Sequence, residues 1–441
     1  MKASTNESLV RAYEKLEDRL NRQLIRPDSF LQRSEDESMR QRAKRKFEEA
    51  ADFFHQVADP QKSFESILIA GTSGKGTTAS MVAHALSSRG FKVGLHTSPY
   101  LQVLSEKIWI DGYYADSFLL NELLDEIWPM ALKIRTPAAA ASAHGLANVA
   151  LAYKAFEKAK VDIAVVEAGV GGRYDFNNIL EPIATCVTNV GPDHLVTLGP
   201  GLEDIAWHKA GIARPGVPLV TGAVGKALCI IEKEAQKKNA FLRVIEPGTG
   251  ENFMSRDERL AAAVLDSLPE PFRIRGFTMD EQRKTRLLPG RFEQLPGGRV
   301  LLDGAHNPDK IKALVLALKQ KYNEKPVLVY GQLESKDLSQ MLEPLSKAVS
   351  FIVATEPATY EKPAIPALKI AETAQAIGLG AKVVADPKAA VFEALSHAGT
   401  SKKVLVTGSL YLLGEIRNMI YPWQDVLRYR QSWFDTKKEI S

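Results

Sequence analysis

Residues 67–78 read I-L-I-A-G-T-S-G-K-G-T-T, and this stretch decides the fold. An apolar run typical of a buried strand leads into a glycine-rich turn with a lysine, and good helix formers follow. A strand, a Gly-Lys turn and a helix in this order indicate a phosphate-binding P-loop, with a structural turn as the alternative. The residues predicted to bind nucleotide phosphate are Thr72, Ser73, Gly74, Lys75, Gly76 and Thr77.

The spacing of this loop differs from that of the common P-loop. Gly71 and Gly74 are separated by only two residues, and Lys75 is followed by a glycine instead of the Ser or Thr that normally binds Mg²⁺. A hydroxyl ligand for the metal must then come from elsewhere. Ser98, which follows the next predicted strand, is one candidate and Thr77 is the other; for Ser98 an ordinary turn is the alternative.

Composition narrows the class of protein. The chain has 441 residues, enough for roughly two or three domains, and a net charge of +4, too small to argue for nucleic acid. No apolar run approaches the ~20 residues of a membrane helix. Two cysteines in so long a chain suggest a reducing compartment. We therefore expect a cytoplasmic enzyme with neither nucleic acid nor membrane as partner.

Helical stretches separate most of the apolar runs after the first strand. These runs, at 92–95, 162–166, 184–190 and 217–221, predict a mostly parallel, doubly wound α/β sheet. Ligands bind at the carboxyl ends of the strands in such sheets. The P-loop, Ser98, Glu167 and His194 all follow strand ends, so we expect them at one edge. A carboxylate there suits a divalent metal, although an acid that caps a turn and a structural histidine are the alternatives.

A second alternation of strands and helices begins at Arg299 and predicts a smaller, Rossmann-like α/β domain. We place the boundary within 269–291 and predict an ATP-binding domain over 1–288 and a C-terminal domain over 289–441. In the second domain D-G-A-H-N-P follows a predicted strand, and it is as consistent with a polar turn as with a nucleotide contact.

Eight short motifs occur in one order along the chain. They are G-T-S-G-K-G-T-T (71–78), T-S-P-Y-L (97–101), E-A-G-V-G-G-R-Y-D (167–175), T-N-V-G-P-D-H (188–194), K-A-G-I (209–212), P-G-R-F-E (289–293), D-G-A-H-N-P (303–308) and G-S-L-Y-L-L-G-E (408–415). Together they resemble the motifs of the folylpolyglutamate synthase/dihydrofolate synthase family, within the Mur ligase superfamily.

The resemblance implies an ATP- and Mg²⁺-dependent amide ligase. A carboxylate of folate or dihydropteroate would attack the γ-phosphate of ATP, and glutamate would then displace phosphate from the acyl phosphate. Residues implied as catalytic are Lys75, Lys209 and His306. Those implied as metal ligands are Ser98, Glu167, His194 and, if carbamylated, Lys209. Further nucleotide contacts implied are Arg291 and Asp303. From its sequence context alone, Lys209 is better explained as a solvent-facing lysine, and Arg291 is as well explained as a linker arginine.

The departures from the family concentrate where the acceptor would bind. Residues 136–145 contain no acid where the family has Phe-Glu, and 174–178 read Y-D-F-N-N instead of L-D-A-T-N. His208 stands where the family usually has Glu, and Asp257 or Arg259 replaces an asparagine. A Mur-type ligase for another carboxylate therefore remains an alternative, as does a nucleotide-binding protein without catalysis. We expect a monomer with small-molecule substrates.

Overall fold

The computed structural model describes residues 2–24, 39–134, 140–280, 287–334, 337–359, 363–436 and 438–440. The chain divides into two compact units. The first unit comprises Met1–Tyr100, Leu104–Met279 and Leu427–Gln431, and the second comprises Leu101–Val103, Asp280–Val426 and Ser432–Ser441. Each unit is an α/β layer structure on its own mostly parallel sheet, which confirms the predicted fold class.

The first unit contains an eight-stranded sheet in the order β4-β3-β2-β5-β1-β6-β7-β8. Its strands run in one direction except β3, which is antiparallel to both of its neighbours, β2 and β4. The strands are β1 (Glu65–Ala70), β2 (Val93–His96), β3 (Ile108–Ile110), β4 (Tyr113–Tyr114), β5 (Ile163–Glu167), β6 (Ala184–Val187), β7 (Pro218–Thr221) and β8 (Phe241–Val244).

Helices cover this sheet, so its central strands are buried on both faces and are mostly apolar; in β1, every residue after Glu65 is buried. The helices are α1 (Lys2–Asp18, continued by the π-turn Arg19–Gln23), α2 (Met39–Gln56), α3 (Lys75–Ser88), α4 (Ser117–Ala131), α5 (Ala140–Ala159), α6 (Leu195–Leu198), α7 (Leu202–Ala210), α8 (Gly225–Lys238) and α9 (Phe253–Ser267). Short 3-10 turns occur at Pro60–Lys62, Leu104–Lys107 and Phe176–Ile179.

The strand order places four carboxyl ends side by side. The chain leaves β1 through α3 for β2, but β5 inserts between these two strands, while β6 pairs with β1 on the other side. The reversal of direction at β1 is a topological switch point, where doubly wound sheets bind their ligands. The ends of β2, β5, β1 and β6 therefore lie next to each other, as the sequence predicts.

Two strand bounds differ from the prediction in a way that matters for the site. The strand predicted over 184–190 ends at Val187, because Thr188 and Asn189 leave the sheet to hold the P-loop. The strand predicted over 162–166 extends to Glu167, whose side chain is therefore placed by the sheet itself. The acid-free stretch 136–145 lies partly outside the described residues, which omit 135–139.

The second unit contains a six-stranded sheet in the order β13-β12-β11-β14-β10-β9, parallel except for β9. Its strands are β9 (Glu293–Gln294), β10 (Val300–Leu302), β11 (Val327–Tyr330), β12 (Phe351–Ala354), β13 (Ala381–Val383) and β14 (Val404–Thr407). Its helices are Pro308–Lys321, Leu338–Ser346, Ala367–Ala376, Pro387–Ala398, Leu410–Arg417 and Trp423–Tyr429, the last of which begins in this unit and ends in the first. A buried ion pair between Arg417 and Glu293 fixes β9, which the sequence did not predict.

No helix in the described part of the chain has the length and apolarity needed to cross a membrane.

A polar cluster is buried where β2 ends. The His96 side chain is almost inaccessible, its Nδ1 lies 3.0 Å from the Lys107 carbonyl oxygen, and burial lowers its pKa to about 4. Burial also lowers the pKa of the Lys107 ammonium to about 8. The Lys107 ammonium donates to Asn148 Oδ1 at 3.0 Å. The imidazole of His96 is thus held neutral inside the first unit.

We predict that His96 makes the free energy of unfolding sensitive to acid. Its pKa in the folded chain, about 4, lies below the ordinary value of 6.5, so the unfolded chain binds more protons between these values. The free energy of unfolding should therefore fall as the pH falls from 6.5 towards 4. His96→Asn, which keeps a donor for the Lys107 carbonyl, should make this fall shallower in denaturant titrations at several pH values.

The matched control is His55→Asn, because the His55 side chain is 86% exposed. This variant should keep the acid dependence of the parent chain. Equal slopes for the parent chain and His96→Asn would contradict the prediction.

Candidate functional site

The P-loop connects β1 to α3 and depends on two glycines. Gly74 has φ +80°, and a Cβ there would lie 2.4 Å from Asp257 Oδ1. At Gly71, φ is +152° and a Cβ would lie 1.9 Å from Thr188 Oγ1. Only glycine fits such close approaches at positive φ. The side chains of Thr188 and Asp257 therefore pack directly against the loop and fix the path of its backbone.

Asn189 holds the first half of the loop. Its Oδ1 accepts hydrogen bonds from the backbone N–H groups of Thr72 (3.1 Å) and Ser73 (2.8 Å), and Thr188 Oγ1 donates to the Ser73 carbonyl at 2.7 Å. The Thr72 hydroxyl is also engaged, with Gly191. The N–H groups that remain for an anion are those of the first turn of α3, which begins at Lys75 and has no intrahelical acceptors for them.

Two hydroxyls of the loop region fit a phosphate. Ser73 Oγ and Thr78 Oγ1 are buried and have no hydrogen-bond partner among the residues that the structure describes. Buried polar atoms are rarely left without a partner, so these two indicate a ligand that accepts hydrogen bonds. They stand beside the N-terminus of α3, whose dipole favours an anion. The residues present therefore fit a polyphosphate.

Glu167 contacts two other residues that the sequence predicts for the site, Ser98 and Lys75. Its Oε2 accepts a hydrogen bond from the backbone N–H of Ser98 at 2.9 Å, and its Oε1 lies 3.6 Å from Lys75 Nζ. The Glu167 side chain is 7% exposed and that of Lys75 is 16% exposed. A carboxylate and an ammonium are thus placed at the P-loop, next to the backbone of Ser98, and carboxylate oxygens suit Mg²⁺.

His194 follows β6 at a turn and caps the four-residue helix α6. Its side chain is 48% exposed, and its Nε2 lies 3.8 Å from Asp193 Oδ2. Within the described ranges, no three His, Cys, Asp or Glu side chains are grouped closely enough to hold a metal. Mg²⁺ is commonly held by one or two carboxylates together with oxygens of water or substrate, and Glu167 fits such a site.

Lys209 is buried, so its interpretation as a solvent-facing lysine is wrong. It lies on α7, and its Nζ donates to the Gly71 carbonyl at 2.7 Å. Arg173 fastens this helix to the loop after Glu167, because its backbone N–H donates to the His208 carbonyl at 2.6 Å. The Arg173 side chain also pairs with Glu234. Lys209 thus links α7 directly to the start of the P-loop.

In the second unit, Asp303 is buried at the end of β10. Its Oδ2 accepts from the backbone N–H of Phe292 (3.0 Å) and its Oδ1 from that of Ala305 (2.9 Å). Burial raises the pKa of this carboxyl, and the nearby Arg291 guanidinium opposes the rise. Asp303 therefore connects the P-G-R-F-E and D-G-A-H-N-P motifs within one unit.

His306 presents one ring nitrogen to a carbonyl. Its Nδ1 lies 2.7 Å from the Gly304 oxygen, which can only accept, so Nδ1 carries the proton; Lys310 Nζ lies 3.4 Å from Nε2. Asn307 caps the following helix through Oδ1. Its Nδ2 is buried and without a hydrogen-bond partner in the part of the chain described. The turn thus offers a donor to a ligand.

Sequence reasoning missed Asn189 as the residue that organises the P-loop, although it lies inside the quoted motif T-N-V-G-P-D-H. It also treated Asp257 only as a replacement for another residue, whereas the structure packs it on Gly74. Neither contact has a signal in local sequence, since both join segments more than a hundred residues apart.

Two protein families match the chain. Residues 69–248 match the Mur ligase middle domain, and residues 290–410 match the Mur ligase glutamate ligase domain.

Two relatives are similar to this protein over most of the chain. A dihydrofolate synthase/folylpolyglutamate synthase of Escherichia coli is 30% identical over 314 residues, which cover 64% of this chain and 70% of that protein. A probable bifunctional folylpolyglutamate synthase/dihydropteroate synthase of Haloferax volcanii is 30% identical over 403 residues, 82% of this chain. The chain spans only 46% of the length of that relative.

Solved structures show the same fold. E. coli FolC in complex with DHPP and ADP superposes with a TM-score of 0.70 at 25% identity, covering 84% of this chain and 91% of that one. A bifunctional folylpolyglutamate synthase/dihydrofolate synthase with Mn, AMPPNP and L-glutamate bound gives 0.69 at 25% identity, covering 84% and 93%. The family predicted from the eight motifs is thereby confirmed: the chain belongs to the folylpolyglutamate synthase/dihydrofolate synthase family of Mur ligases.

Proposed function

We propose that the chain is an ATP-dependent ligase that joins glutamate to a carboxylate of folate or dihydropteroate through an acyl phosphate. The observation that carries the proposal is the P-loop of the first unit. Its Lys75 lies beside the carboxylate of Glu167 at the switch point of the sheet, α3 begins there, and the Ser73 and Thr78 hydroxyls have no hydrogen-bond partner among the described residues. Family membership supports the same reaction, as do relatives with ADP, AMPPNP, L-glutamate and DHPP bound.

In this proposal the nucleotide-binding residues divide into two roles. Lys75, Gly76 and Thr77 contact phosphate through the first turn of α3, and Lys75 adds its charge. Thr72 and Gly74 shape the loop, and Ser73 has both roles, because Asn189 holds its N–H group while its buried hydroxyl contacts phosphate. Arg291 and Asp303 of the second unit are further nucleotide contacts in this proposal.

Glu167 and the Ser98 hydroxyl would hold Mg²⁺, with His194 and a carbamylated Lys209 as further proposed ligands. The Mn-bound relative supports the use of a divalent metal. Once bound, the metal supplies positive charge that offsets the negative charge of the phosphates. Lys75 adds a fixed cation beside the same carboxylate. The donor set present, oxygens with one imidazole, is compatible with Mg²⁺.

The reaction balances without a covalent protein intermediate. An oxygen of the acceptor carboxylate forms a bond to the γ-phosphorus as the bond to ADP breaks. The glutamate amine then forms a bond to the acyl carbon, phosphate leaves, and the amine loses a proton. Lys75 stabilises negative charge on the transferring phosphoryl group. Lys209 braces the P-loop through Gly71, and His306, whose Nδ1 lies against the Gly304 carbonyl, acts near the transferring phosphoryl group.

The remaining features are part of the same proposal. The chain acts in the cytoplasm as a monomer on small-molecule substrates, with no nucleic acid or membrane partner. Its ATP-binding domain covers 1–288 and its C-terminal domain 289–441, so the boundary falls between the two matched families.

The acceptor is identified by phosphate release. We expect release from ATP only when glutamate is present together with dihydropteroate or tetrahydrofolate. The assay compares these two with a panel of other carboxylates, each with and without glutamate. Release with a different carboxylate would favour another Mur-type ligase, and release with none would favour a nucleotide-binding protein that does not catalyse.

Lys75→Ala should abolish phosphate release and leave the thermal melt nearly unchanged. The lysine contributes charge to the site, while Glu167 keeps its hydrogen bond from Ser98 in the variant. Lys226→Ala is the matched control, because the Lys226 side chain is 84% exposed in the same unit. A large loss of thermal stability in Lys75→Ala alone would show that the loop lysine is structural.

A further inference from the structure

A buried carboxyl group packs against the P-loop from α9. Asp257 is fully buried, and both of its carboxyl oxygens lie within 2.5 Å of the position that a Cβ on Gly74 would take. Its Oδ2 has no hydrogen-bond partner in the described ranges of the chain. An acid at this place is unexpected, because the loop beside it is built to attract anions.

The neighbouring arginine compensates this carboxyl. Arg256 donates from Nε (3.0 Å) and from Nη2 (2.7 Å), and both bonds go to Asp257 Oδ1. Its remaining nitrogen, Nη1, donates to no residue that the structure describes. The Arg256 side chain is 22% exposed, whereas that of Asp257 is not exposed at all. The Nε and Nη2 edge of the guanidinium is therefore fixed, and its Nη1 edge is open. Asp257 Oδ1, to which it is bound, packs directly against Gly74 of the loop.

The opposite charges of Arg256 and Asp257 suit this pair to a phosphate site. Burial raises the pKa of Asp257, and the Arg256 charge opposes the rise. A guanidinium held by a carboxylate has lost much of its side-chain freedom before a ligand arrives, so less entropy is lost on binding. Its free N–H groups then suit phosphate oxygens, with which arginine makes charge-assisted hydrogen bonds.

We propose that Arg256 is a further phosphate-binding residue of the nucleotide site, and that Asp257 is the positioning residue that holds its guanidinium beside Gly74. This inference rests on the proposed function, since it takes the P-loop ligand to be ATP. It adds a cation that the P-loop motif does not contain. It also gives a role to the acid packed against that loop.

The test is equilibrium binding of ATP, ADP and adenosine to the full chain by calorimetry, without acceptor or glutamate. Arg256→Gln should weaken ATP binding about tenfold or more, the effect of losing one charge-assisted hydrogen bond. Adenosine should bind the variant as it binds the parent, since it has no phosphate. Arg259→Gln is the matched control on the same helix, because Arg259 pairs with Glu251 and is 46% exposed.

Two variants of Asp257 test its positioning role. Asp257→Asn keeps an oxygen acceptor for Arg256 and should bind ATP within about twofold of the parent, a conservative rescue that requires only the hydrogen bond. Asp257→Ala frees the guanidinium and should weaken ATP binding severalfold. Equal ATP affinity in both variants would overturn the positioning role.

The double variant Arg256→Gln with Asp257→Asn separates binding from folding. If Arg256 only neutralises Asp257, removing both charges should restore ATP affinity together with the thermal melt, and that result would overturn the proposal. We expect the melt to recover and the affinity to stay low. An equal loss of affinity for ATP and for adenosine in Arg256→Gln would also overturn the proposal that Arg256 binds phosphate. Failure of the parent chain to bind ATP would instead reject the proposed function.

Discussion

The hydrogen bond between Glu167 and the backbone of Ser98, with Lys75 beside the same carboxylate, is the contact on which the site depends. It joins the ends of three neighbouring strands, since Glu167 closes β5, Ser98 follows β2 and the P-loop follows β1. A carboxylate so little exposed is costly unless it is hydrogen-bonded, and the backbone of Ser98 supplies that bond. The site is therefore held by the same group that makes it suitable for a metal.

Around this contact, segments distant in sequence hold the P-loop on several sides. Asn189 holds its first half, Lys209 donates to its first glycine, and Asp257 packs against Gly74. Lys209 in turn is carried by a helix that Arg173 fastens to the loop after Glu167. Such packing pre-organises the donors before substrate arrives, so little reorganisation is needed when charge develops during the reaction.

The fold, and the positions of Lys75, Ser98 and Glu167 at strand ends, can be predicted from the sequence for physical reasons. Parallel strands buried on both faces are continuous apolar runs, and their ends carry the glycines and polar residues of the motifs. The loop's supports are different. The contacts of Asn189 and Asp257 and the burial of Lys209 depend on segments that no local periodicity connects. For Lys209, the sequence context alone favours an exposed side chain. The strand predicted to reach residue 190 ends at Val187 for the same reason, because Thr188 and Asn189 contact the distant P-loop.

The central claim is that the acceptor carboxylate is activated as an acyl phosphate. The most direct measurement uses an acceptor labelled with ¹⁸O in its reacting carboxylate, together with ATP and glutamate, and analyses the released phosphate by mass spectrometry. We expect each phosphate to carry one labelled oxygen, because the bond from that oxygen to the acyl carbon breaks when the amine adds. Unlabelled phosphate, released in step with amide formation, would contradict it.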